Sequence, residues 1–139
     1  MSTGKTIGAI VAGFVLQSAG GYLLHDILLM PEYQATASLW RAPAAINHHM
    51  WAVVLANAIF VIGAVLLYIK GVEQKSRIGQ GIRFGILLAL VTTVFGSLTS
   101  WATMPMPHQL AVHWILGEGV LCILLGLVIA IIAQPKSTA

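Results

Sequence analysis

Four apolar runs, at about residues 6–29, 48–70, 82–104 and 108–133, follow one another with short polar breaks between them. Each is long enough for the roughly 20-residue helix that crosses a hydrocarbon layer of about 30 Å. The first run begins after Lys5 and contains Ser18-Ala19-Gly20, a possible cleavage site. It continues past the usual length of a signal's apolar core, and the reading adopted is a retained span. Short connections favour antiparallel neighbours. The pattern therefore predicts an all-α fold, a single four-helix transmembrane bundle running up-down-up-down over residues 1–139.

The breaks carry local signals. Met30 to Asn47 is the longest, punctuated by Pro31 and Pro43. Within it Tyr33–Arg41 is expected to lie as a short interfacial helix, turning Tyr33, Leu39 and Trp40 to the lipid. Asn47 is the expected N-cap of the second span. Gly71 to Gly81 is polar and glycine-punctuated, and Met104-Pro105-Met106-Pro107 makes a tight last loop with Pro107 suited to opening the fourth span.

Composition agrees with the pattern. Only 8% of residues are charged, against about 25% in a soluble domain. Lys5, Lys70, Lys75, Arg77, Arg83 and Lys136 fall at one end of the runs and Arg41 alone at the other. By the positive-inside rule both termini face the cytoplasm. That rule sets the opposite end toward the periplasm or exterior of a bacterial inner membrane. The basic balance is then a topology signal, because no basic patch interleaved with aromatics exists to hold nucleic acid. Cys122 is the only cysteine and reads as a packing residue.

Buried polar groups are costly in lipid, so each asks for a reason. Gln17, Asn57 and Glu118 lie near mid-depth, with Thr92 and Thr93 in the third span. Gln17, Gly21 and His25 share one helical stripe; His49, Val53 and Asn57 share another. If Gln17 met Asn57, His25 and His49 would face the same interior. Glu118, bracketed by Gly117 and Gly119, is the acidic residue deepest in the membrane. It is read either as hydrogen-bonded glue between helices or as part of a proton path or quinone-headgroup site running from Glu118 to the outer histidines. His113, about 140° around the helix from Glu118, is not its partner.

All five histidines, four of five methionines and all four tryptophans lie at the end opposite the lysines. Imidazole and thioether together suit copper, and histidines on separate helices suit an axially ligated haem. For haem the candidates are His25, His49 and His113; for copper they are His48, His49, Met50, Met106 and His108, with Asp26 able to orient an imidazole. Adjacent histidines on a helix point about 100° apart, so His48 and His49 cannot serve one site together. The alternative is that histidine and tryptophan simply favour the membrane interface, where a polar tip reaches water; pH sensing by the histidines is a further reading.

His25-Asp26, the loop Ala35-Thr36-Ala37-Ser38-Leu39-Trp40-Arg41, and Met104-Pro105-Met106-Pro107 ahead of a helix with Trp114 and Glu118 carry a resemblance. The chain resembles a family of small bacterial four-helix integral membrane proteins. In that family a histidine ends the first helix, an A-T-A-x-L-W-R-like loop follows, and M-P-x-P precedes the fourth. The resemblance implies fold and topology and lends no activity; the doubled histidine at 48–49 departs from its pattern.

Three function classes follow as expectations. The first is a small accessory or assembly subunit of a larger membrane complex, respiratory or photosynthetic, partnered by lipid, other membrane subunits or its own copies. It fits the absence of a catalytic motif and the small pairs Gly81/Gly85 and Gly117/Gly119, which permit tight helix packing. The second is a haem- or copper-binding electron-transfer or metal-handling protein. The third is an oligomeric, proton-coupled transporter working through Glu118.

Overall fold

The computed structural model describes residues 2–73 and 76–133; Lys75 and Lys136, counted above toward the charge asymmetry, lie outside them. The described chain is helical throughout. We label α1 Thr3–Leu28, α2 Met30–Ala35, α3 Pro43–Lys70, α4 Arg77–Thr103 and α5 His108–Ala133. All but α2 are long and apolar enough to cross a membrane, so this is an all-α, four-span membrane protein.

Two of the spans depart from α-helical winding. The last stretch of α1, Tyr22–Leu28, is π-helical, and so is Leu90–Val94 inside α4. Such turns carry extra residues and change the direction in which later side chains project. The α3 helix starts earlier than the polar signals suggest. Pro43 lies in its first turn behind Ala42, and Asn47 falls inside the helix rather than capping it. Proline fits there because the missing N–H would have had no helical partner.

Helix α5 is central. It packs most extensively along the first half of α4, next along α1, and also touches α3, which leans mainly on α1. The α4–α5 contact is backbone against backbone. A Cβ on Gly81 would stand 2.8 Å from the Gly126 carbonyl oxygen, and one on Gly85 2.6 Å from that of Cys122. Small residues permit this approach, and dispersion rather than burial from water drives it in lipid. Gly117 likewise admits Leu24, while a Cβ on Gly119 would meet nothing within 4 Å. Gly81, Gly85 and Gly117 are therefore spent within the chain, not held for another subunit.

The core is in two parts. Toward the basic end Ala9, Val61, Ala64, Val65, Tyr68, Leu88, Leu125, Ile129 and Ala130 draw on all four spans. At the histidine end Leu24, Leu29, Met106, Leu110 and Ala111 come only from α1, its junction with α2, α5 and the loop before α5. What fills the space there is the α2 segment, folded back over the ends of α1 and α5, with Tyr33, Leu39 and Trp40 packed on that second core. The expected interfacial helix is thus shorter, and its aromatic residues face the protein instead of the lipid.

Candidate functional site

The α2 segment holds its shape by local bonds. Pro31 sits in its first turn, and Thr36 ends it, its backbone N–H and its hydroxyl both donating to the Glu32 carbonyl. A 3-10 turn, Ala37–Leu39, then brings Trp40 back so that its Nε1 donates to Thr36 Oγ1 at 2.9 Å. The result is a strap that carries Glu32, Tyr33 and Trp40 against α1 and α5.

Under the strap, four side chains from three helices meet. Trp114 Nε1 lies 2.7 Å from the Tyr33 hydroxyl, and that hydroxyl lies 2.6 Å from His25 Nδ1. On the other side of the ring, His25 Nε2 stands 3.3 Å from Glu118 Oε1. Trp40 closes the group, its ring edge-on to Tyr33 at 5.4 Å between centroids and tilted against Trp114 at 6.1 Å. Beside it, His113 Nδ1 and Glu32 Oε1 join strap to α5 at 2.5 Å.

The donors fix a direction. An indole N–H can only donate, so the Tyr33 oxygen accepts from Trp114. The Tyr33 hydrogen is then free to point at His25 Nδ1. With Nδ1 accepting, the neutral imidazole keeps its hydrogen on Nε2, the nitrogen facing Glu118. A second setting exists when His25 is protonated: Nδ1 then donates to the Tyr33 oxygen, and the ring's charge lies beside the carboxylate. Burial pushes the Tyr33 phenol up to about 12, offset in part by the Trp114 hydrogen bond and reinforced by the nearby carboxyls of Glu118, Glu32 and Asp26. Tyr33 therefore stays a neutral hydroxyl at physiological pH, able to switch between giving and taking a hydrogen bond.

The pair is not sealed. His25 keeps 32% and Glu118 38% of its side-chain surface open in the single chain. Glu118 lies one helical turn inward of Trp114, on the membrane side of the aromatic layer.

Gln17 and His25 do share a face, and it is the one toward α5: Gln17 Nε2 donates to the Leu121 carbonyl at 3.2 Å. Asn57 does not meet Gln17; its Nδ2 donates to Ser18 Oγ at 2.8 Å. His25 and His49 accordingly do not converge. The His49 Nδ1 bonds the Ala45 carbonyl of its own helix, and its ring stands edge-on to His48. His48, Met50 and His108 are exposed, while Met106 is buried in the second core among Leu24, Leu29 and Leu110. His113 is paired with Glu32. Among the described residues no three His, Cys, Asp or Glu side chains gather so as to hold a metal ion. Cys122 is buried with its thiol 3.8 Å from the Thr93 hydroxyl.

Sequence reasoning singled out His25 and Glu118 and linked Glu118 to the outer histidines in one reading, but it did not name His25 as the partner, and it placed Tyr33 and Trp40 outside the site. The one available signal was Trp114, a helical neighbour of Glu118 that brings an obligate donor to the same stripe. Comparison of the chain with protein-family models, curated proteins and solved structures returns no match.

Proposed function

We propose that this chain is a small integral membrane subunit of a larger membrane assembly, and that its own contribution is to handle protons through Glu118, His25 and Tyr33. The supporting observation is His25, engaged at Nδ1 by Tyr33 and faced at Nε2 by Glu118, with about a third of the pair left uncovered. An imidazole engaged at both nitrogens can take a proton at one and release it at the other without turning. A carboxyl–imidazole pair open toward lipid is costly, and a neighbouring subunit or a second copy of this chain would cover it. The charge asymmetry supports a site at the periplasmic or outer face of a bacterial inner membrane.

Infrared difference spectroscopy on the full chain in lipid tests the proton role over the range in which an imidazole titrates, about pH 5 to 8. A carboxyl signal should appear that Glu118→Gln abolishes and His25→Gln displaces. A signal indifferent to both substitutions would remove the relay. Native electrophoresis of gently solubilised membranes tests the assembly. A species well above the 14.8 kDa chain is expected, and a lone monomer would end that part of the reading.

A further inference from the structure

At the end opposite the histidines a cleft of about 290 Å³ opens between α3 and α4. Its walls are Leu67 and Leu87, both largely exposed, and its floor is Tyr68 set edge-on against Phe84 at 5.2 Å between centroids. Its rim is polar. Gln80 is committed there: Nε2 donates to the Gly71 carbonyl at 3.0 Å and Oε1 accepts the Glu73 backbone N–H at 3.2 Å, which ties the loop over the start of α4.

Arg83 also lines this cleft, roughly 9 Å along the α4 axis from Arg77 and inside the span. Its Nε donates to the Gly79 carbonyl of its own helix at 3.2 Å, and among the described residues no carboxylate pairs with it. A guanidinium at that depth calls for an anionic partner or a route to the interface. The cleft leaves room for such a partner, with exposed apolar walls and, at its polar rim, Arg83 and Glu73 as the charged lining residues. Lys70 and Arg77 stand at the same end, against the single described carboxylate of Glu73.

We infer that this cleft is a binding site for an anionic phospholipid of the leaflet at the basic end. The phosphate sits on the Nη groups of Arg83, where a guanidinium can bond two oxygens together, and an acyl chain lies between Leu67 and Leu87. The site is independent of the histidine-end relay and separate from it along the bundle.

Native mass spectrometry of the full chain, released from vesicles with equal phosphatidylglycerol and phosphatidylcholine, tests the assignment. The chain should retain phosphatidylglycerol over phosphatidylcholine by about fivefold. Arg83→Gln should bring the two lipids to parity. Leu87→Trp, at an exposed wall position, keeps the charge but crowds the acyl groove and should lower retained phosphatidylglycerol. Arg41→Gln, at the opposite end, should leave the ratio unchanged. Equal retention of both lipids by the unsubstituted chain would overturn the inference. So would a preference that survives both Arg83→Gln and Leu87→Trp.

Discussion

The two ends of this bundle are held together by different means. At the basic end α4 and α5 approach backbone to backbone: Gly81 and Gly85 of α4 lie against the Gly126 and Cys122 carbonyls of α5, with only the small Ala130 side chain beside Gly81. At the histidine end contact is made by side-chain tips reaching across a strap, through Tyr33, Trp40, Trp114 and His25. The first kind of contact is rigid and chemically inert. The second is adjustable, because each bond belongs to a group that can rotate or exchange a proton. A membrane protein that anchors one end by glycine contacts can place titratable groups at the other without losing its shape.

The contrast is most sharply tested where packing is closest. Gly85→Leu should separate α4 from α5, lowering stability by about 3 kcal/mol or more in detergent unfolding, beyond ordinary overpacking. A neutral result would mean the backbone contact is not what holds the basic end. At the other end, Tyr33→Phe leaves the Trp114 N–H without its acceptor and His25 without its hydroxyl. A loss of about 1–2 kcal/mol is expected, with the four spans intact.

The Tyr33 hydroxyl also carries a pH signature. Its proton is held to about 12 in the folded chain against 10.0 ordinarily. Below about pH 10 both folded and unfolded states keep that proton; between about 10 and 12 only the folded state does, so the strap's stability falls as pH rises through that window. Subtracting the alkaline absorbance titration of Tyr33→Phe from that of the parent should isolate one phenolate appearing near 12. Smallest of all is Glu32→Gln, which weakens a pair whose His113 side chain is 49% exposed; the cost should stay below about 1 kcal/mol. A larger loss there would make the strap's surface pair, rather than Tyr33, its main fastening.

Hydropathy made the four spans readable because a span's signal is its length and composition, which no neighbour can alter. The stripe of Gln17 and His25 was readable too: both meet α5, although the last turn before His25 winds as a π-helix and not as the α-helix that the spacing assumed. Partner identity was not. Asn57 took Ser18, one residue from the expected Gln17, because hydropathy does not set how far each helix is turned about its axis. Tyr33 and Trp40 have the composition of an interfacial helix, and only the fold-back of α2 turns them inward. Gly81 and Gly85 signal a close contact without saying whether the other helix belongs to the same chain.

The π-helical stretch of seven residues that ends α1 keeps slack in the chain. A residue lost inside it would be largely absorbed as the turn rewinds to α, whereas one lost from the regular α-helix ahead of it would swing His25 and everything beyond by about 100° and draw them back by about 1.5 Å. The imidazole's address is thus set by a count of residues as much as by their kind. A chain could keep its histidine, tyrosine and carboxylate, cross the bilayer as before, and still have the proposed proton path broken by the loss of a single residue ahead of the histidine.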